Sequence, residues 1–226
     1  MKYKKTYFDS GAEYKKKDGL YSIKEKLFSD KKSKEHYNFI LKERWVNLKG
    51  CKKILDIGCG KCEFLKLNPY GAEIFGTDII PETLKEAKEQ GINVNLGDVN
   101  KKLPYKNNFF DGIILSHVIE HIEDPANMFD EIKRISKNDC KLVIVVPNCS
   151  FKEFYNDYTH KHPYTKMSLY RILKDNGFKD IKIENGPCLN PLLGILLLFP
   201  KLRLLIEKIF GKISPSEFIA VAKYEK

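Results

Sequence analysis

The chain has 226 residues, 42% of them apolar and 31% charged, which suits one globular domain with a full core and excludes an intrinsically disordered chain. The formal charge of +10 raises the question of a nucleic-acid partner, but all except four of the 40 basic residues are lysines, and few bidentate arginine forks are on offer. The composition argues against nucleic acid as the partner.

Residues 1–50 form a basic arm, with 14 basic and seven acidic side chains and no apolar core of signal-peptide length. The expected location is therefore the cytoplasm. The end of the arm places Tyr37, Ile40, Leu41, Trp45 and Leu48 at helical spacing, which predicts a cap helix packed on the domain of 51–226; a lid over a ligand is compatible with the same pattern.

An apolar strand is predicted at 53–57, ending in Asp56 and the turn Gly58-Cys59-Gly60, with a helix from about 61 to 67. Glycine-rich turns between a strand and a helix cradle nucleotide ligands. The dinucleotide fingerprint wants a small residue three positions after the second glycine, and Glu63 stands there, which disfavours NAD. An acid at this strand tip suits a ligand with an ammonium group. The next strand, 72–77, ends at Asp78, 22 residues after Asp56, where an acid can take both hydroxyls of a ribose. After a helix at 81–90, flanked by Pro81 and Gly91, a strand at 92–96 leads to Asp98, placed for an adenine amino group. Three acids at three strand tips outline an adenosyl amino acid, and S-adenosylmethionine (SAM) is the expected cofactor.

Further strands are predicted at 110–115, 140–146, 178–184 and 216–224, with helices at 124–136 and 165–175. The βα alternation predicts an α/β, doubly wound, mostly parallel seven-stranded sheet. Cys59 and Cys62 form a CxxC inside the glycine turn without a second ligand pair, so all six cysteines are read as reduced thiols rather than as a zinc or disulfide framework.

The segments LDIGCG (55–60), GTDI (76–79), GDVN (97–100), LPYKNNFFDGIILSHVIEHIEDP (103–125) and LVIVVPN (142–148) resemble, in order and spacing, the class I SAM-dependent methyltransferases, notably the ubiquinone-type and glycan O-methyltransferases. The resemblance covers about 52–178. It implies a Rossmann-like fold with the last strand antiparallel, and S-adenosylhomocysteine as product. It implies that Asp56, Gly58, Cys59 and Gly60 hold the methionine end, Asp78 and Ile79 the ribose, Asp98 and Val99 the adenine, and that Ser116 lines the sulfonium.

Ligands of open α/β sheets bind beyond the carboxyl ends of the strands, which puts Ser116 to His121 beside the transferred methyl. A hydroxyl acceptor needs a base, and histidine is the usual one near neutral pH. The candidates are His121, then His117 or His160, the last within Asp157-Tyr158-Thr159-His160-Lys161-His162 after the fifth strand. No metal is expected. A Glu-x-x-Glu-His pattern with a distant histidine is a divalent-metal site in some small-RNA 2′-O-methyltransferases, but here His117 replaces the first acid; the set His117, Glu120, His121 and His160 suits a softer divalent ion better than magnesium.

Residues 191–213 form an apolar and basic insertion before the last strand, with an apolar run of eight at 192–199 broken by Gly194, far short of the ~20 residues that span a bilayer. It reads as a lid or dimer contact, or as a peripheral contact with the inner membrane surface through 191–210. The expected reaction is O-methylation of a hydroxyl on a sugar or glycan, lipid-linked acceptors included; a quinol or phenol is the alternative acceptor. A SAM-binding protein without turnover and an RNA-binding protein are the alternatives of another class. A monomer and a homodimer are equally compatible with the sequence.

Overall fold

The computed structural model describes residues 30–150, 152–186 and 215–226. The arm at 1–29 and the insertion at 191–213 therefore lie outside the described residues, as does Cys188.

Seven strands form one sheet in the order β3-β2-β1-β4-β5-β7-β6. They are β1 (Lys53–Ile57), β2 (Glu73–Asp78), β3 (Asn93–Leu96), β4 (Phe110–Ser116), β5 (Ser136–Pro147), β6 (Phe178–Asn185) and β7 (Glu217–Tyr224). The first five pair in parallel, and β7 slots antiparallel between β5 and β6. This is the expected doubly wound α/β architecture.

The helices are α1 (Asp30–Val46), α2 (Glu63–Leu67), α3 (Pro81–Glu89), α4 (Pro125–Ile135), α5 (Lys152–Tyr155) and α6 (Lys166–Asp175). Alternation along a strand divides the core between two faces. Leu55, Ile57, Ile113, Leu115, Leu142 and Ile144 point to the face covered by α4 and α6. Ile54, Ile114, Val143 and Val145 point to the face covered by α1, α2 and α3. Asp56 and Ser116 share the parity of Ile54 and Ile114, so both lie on the α1 side.

Ile40, Leu41, Trp45 and Leu48 are buried as the helical spacing predicts, and the Trp45 ring stacks on Phe64 at 4.5 Å while its Nε1–H donates to the Phe64 carbonyl at 2.9 Å. Tyr37 differs: at 44% exposure it stands at the rim of the helix rather than beneath it.

Two boundaries differ from expectation by more than one residue. Helix α2 starts at Glu63 rather than 61, because Cys62 adopts left-handed φ of +59° and Lys61 stays in the turn. Strand β5 begins at Ser136 rather than 140, since the register shift between Phe110 and Gly112 lets β4 pair with both Ser136 and Lys141. Around α3 the punctuation is as read, with Pro81 in its first turn and Gly91 following it at φ +75°; at α6, Thr165 with Ser168 closes a capping box that the sequence reading did not mark. Among the described residues no helix is long and apolar enough to cross a membrane.

Candidate active site at the strand tips

The carboxyl ends of β1 to β5 and the beginning of the antiparallel β7 converge on one edge of the sheet, Pro147 pairing with Glu217. Beyond β1, Gly58 takes φ +75° and Gly60 φ +50°. The amides of Gly58 and Cys59 donate to the Thr77 carbonyl at 2.8 and 3.1 Å, which draws the loop onto the tip of β2. A Cβ at Gly58 would stand 2.3 Å from Val118 Cγ2, so the position needs glycine for space as well as for conformation. The Cys59 side chain is buried against Gly76. Its thiol is pushed up, first by its hydrogen bond with Cys62 and then by burial, and all the described cysteines are free.

Asp78 braces the same loop. Its Oδ2 accepts from the Gly60 amide and its Oδ1 from the Ile80 amide, both at 2.9 Å, which fixes the carboxylate plane and leaves further lone pairs on each oxygen. Ile79, 45% exposed, offers an apolar surface beside it. Asp98 accepts from the Asn100 amide and side chain; these bonds and Lys101 outweigh its partial desolvation and hold its pKa below the usual carboxylate range. Val99 is buried in the core, so only its main chain faces a ligand there.

Asp56 is 5% exposed and has no hydrogen-bond partner among the described residues. Burial pushes its pKa up to about 8 despite the opposing charge of Arg44. Arg44 descends from α1 into the cleft: Nη2 donates to both Glu217 oxygens at 3.1 and 2.9 Å, and Nη1 to Ser116 Oγ at 2.7 Å. Glu217 continues the chain to His117, whose Nε2 lies 3.2 Å from Oε2 and whose Nδ1 lies 3.4 Å from Glu120 Oε1. His117 has φ +56°, a conformation that L residues seldom adopt, and its amide donates to the Val145 carbonyl at 2.9 Å. Desolvation alone would lower its pKa, but the carboxylates of Glu120 and Glu217 that face its two nitrogens prevail and raise it to about 9. His117 was among the candidate bases; with both ring nitrogens facing carboxylates it has the character of a fixed cation instead.

The other two histidines meet across the cleft. The Glu120 carbonyl accepts from the amides of Lys161 and His162, tying the short 3₁₀ turn Ile119–His121 to the loop after α5. His121 and His160 then lie with ring centroids 4.8 Å apart. His162, by contrast, points Nε2 at the Glu123 carbonyl and stays outside the cluster. His121 Nδ1 sits 2.9 Å from Thr159 Oγ1 and 3.3 Å from its carbonyl, while the Thr159 hydroxyl donates to Asp157 at 2.6 Å. With that proton spent, His121 Nδ1 must be the donor. His160 Nδ1 likewise faces only an acceptor, the Phe154 carbonyl at 2.7 Å. Both rings therefore carry hydrogen on Nδ1, and a neutral ring in either place has its lone pair on Nε2.

Sequence reasoning overlooked Arg44, Glu217 and Thr159. Only the rarity of arginine in this lysine-rich chain set Arg44 apart; nothing local signalled a partner 173 residues away.

A methyltransferase-domain family model matches residues 55–144. An uncharacterised protein of Methanocaldococcus jannaschii is 33% identical over 57% of this chain and 65% of its own length. A ubiquinone biosynthesis O-methyltransferase of Xylella fastidiosa is 29% identical over 48% of this chain and 47% of its own. The chain thus spans between about half and two thirds of these curated relatives. The crystal structure of a SAM-dependent methyltransferase from Archaeoglobus fulgidus superposes with a TM-score of 0.67 at 28% identity, covering 92% of this chain and all of that one. The domain match, the glycine loop, the strand-tip acids and the sheet order together make the chain similar to the class I SAM-dependent methyltransferases in fold and motif.

Proposed function

We propose that the protein transfers the methyl group of SAM to a hydroxyl oxygen on a sugar or glycan. The observation that carries the oxygen assignment is the pair His121 and His160, each with Nδ1 engaged by a protein oxygen and Nε2 on the far side of its ring, that of His160 lying 3.8 Å from Asp157. A neutral amine attacks a methyl sulfonium with the lone pair it already has. A hydroxyl must also lose its proton, and this cluster supplies groups for that task.

The residues present fit the donor. Gly58 leaves the close approach that a side chain would fill, and Asp56, buried without a hydrogen-bond partner among the described residues, suits an ammonium group. In this reading Asp56 and the 58–60 loop take the methionine end, Asp78 and Ile79 the ribose, Asp98 and the Val99 main chain the adenine, and Ser116 borders the sulfonium. Bound there, SAM supplies an already activated methyl. The chain's own work is then to hold the acceptor oxygen in line and take its proton. His117 would stand as a fixed positive charge beside Ser116, leaving the proton to His121 or His160.

A quinol or phenol acceptor is favoured by one observation, the ubiquinone biosynthesis O-methyltransferase among the relatives. The two are separated by incubating the protein with methyl-labelled SAM and a fractionated host extract. Base-stable label in glycan or lipid-linked sugar supports the leading reading, label in quinones the second, and label in nucleic acid defeats both. SAM affinity tests the donor site: Asp78→Ala should weaken it by about 1–3 kcal/mol, and an unchanged affinity would remove Asp78 from the site.

A further inference from the structure

We propose that Glu120, His121 and His160 bind one divalent transition-metal ion, with Zn²⁺ the best chemical match. One ligand atom from each lies within 4.8 Å of the others. Bonds of about 2.0–2.2 Å to a single ion set neighbouring donors roughly 3–3.5 Å apart, so side-chain adjustments of about an ångström close the site.

Three features point to a cation rather than to a packing accident. First, Glu120 is fully buried, and neither carboxylate oxygen accepts a hydrogen bond. Its nearest polar neighbour is His117 Nδ1 at 3.4 Å. A buried carboxyl group whose oxygens accept no hydrogen bond is costly, and a cation bound to it would satisfy those oxygens. Second, both imidazoles donate Nδ1–H to protein oxygens, the outer arrangement that fixes a metal-binding histidine in the correct tautomer. Asp157 extends this support behind His121 by accepting from the Thr159 hydroxyl. Third, two imidazoles with one carboxylate select a borderline transition ion over magnesium, and three protein ligands leave coordination positions open. An open position belongs to a reacting site, not to a structural clamp.

The catalytic use of the ion rests on the hydroxyl-methylation reading. An acceptor hydroxyl on the open position has its pKa lowered and releases its proton to water. The alkoxide oxygen then forms a bond to the methyl carbon as the carbon–sulfur bond breaks, and that electron pair stays on sulfur. The products are a methyl ether, a neutral thioether and one proton. In the loaded protein His121 and His160 act as ligands, and the proton leaves from the bound oxygen.

The test is a Co²⁺ titration of the full chain after chelator stripping, with neither SAM nor acceptor present. One equivalent should bind with the visible absorption of a four- or five-coordinate nitrogen and oxygen site, and Zn²⁺ should displace it. His121→Ala and His160→Gln should each weaken Co²⁺ by more than the roughly 10–100-fold typical of losing an outer-shell partner. Circular dichroism and SAM binding of each variant confirm that it is folded. No visible band, equal binding by the folded variants, or an intense near-ultraviolet thiolate band pointing to Cys59 and Cys62 would overturn the proposal. SAM binding by the stripped wild-type chain, measured alongside, reports separately on the donor site.

Discussion

Arg44 on the first helix and Glu217 at the start of the last strand share a two-armed ion pair across 173 residues of sequence, with nitrogen–oxygen distances of 3.1 and 2.9 Å. The pair is buried, Glu217 to 2% exposure, and Ser116 Oγ accepts from Arg44 Nη1, which leaves Nε without a hydrogen-bond partner. It fastens the helix over the strand tips. Removing one partner strands the other charge, so Arg44→Met and Glu217→Gln should each cost about 3–5 kcal/mol in urea unfolding. The double variant should cost clearly less than the sum. Additive losses would mean that the pair contributes no coupling.

Gly58→Ala should destabilise the fold by about 1–3 kcal/mol, because the new methyl group meets Val118 Cγ2. Adding Val118→Ala relieves that contact but not the positive φ, so thermal melts of the double variant should recover part of the loss. Full recovery would show that the backbone conformation costs nothing.

Asp56, with its pKa near 8, holds a proton at pH 7 in the free protein. An ammonium group arriving beside it favours the carboxylate, so SAM binding should release a proton, read by calorimetry in buffers of differing ionisation enthalpy. Asp56→Asn should abolish the release. The same group gives a signed stability effect. Between about pH 4, the unfolded value, and about 8, the folded chain holds a proton that the unfolded chain has lost, so this residue's contribution falls as pH rises. The Asn variant should flatten that slope, and an unchanged slope would assign the titration elsewhere.

His121→Ala should lower turnover roughly 10²–10⁴-fold while leaving SAM affinity near wild type. Equal losses of affinity and turnover would place the residue in the donor site instead of on the acceptor side.

The sheet and most helix boundaries were legible because they follow from local pattern: apolar runs at Ile54 and Val143, Pro81 and Gly91 as punctuation, and three acids at strand ends. The donor half is likewise written in one continuous stretch. The acceptor half is not. The tautomers of His121 and His160 depend on Thr159 and on the Phe154 carbonyl, and the character of His117 on Glu217 a hundred residues away. Such pairings arise only when the sheet closes, so spacing identified the histidines without distinguishing a fixed cation from a free lone pair. The exposed Tyr37 shows the same limit in a helix, since periodicity gives a face but not how far the neighbouring surface extends beneath it.

The antiparallel β7 has a consequence for how the family can diversify. Because β6 runs into the strand-tip edge and β7 runs out of it, the chain between Asn185 and Glu217 is anchored at both ends on the same rim as His117, while the glycine loop and Asp78 sit on the opposite half of the sheet. Insertions there can grow, shrink or be exchanged without disturbing a single residue of the β1–β3 half. The topology therefore lets the rim between β6 and β7 change length independently of the β1–β3 half.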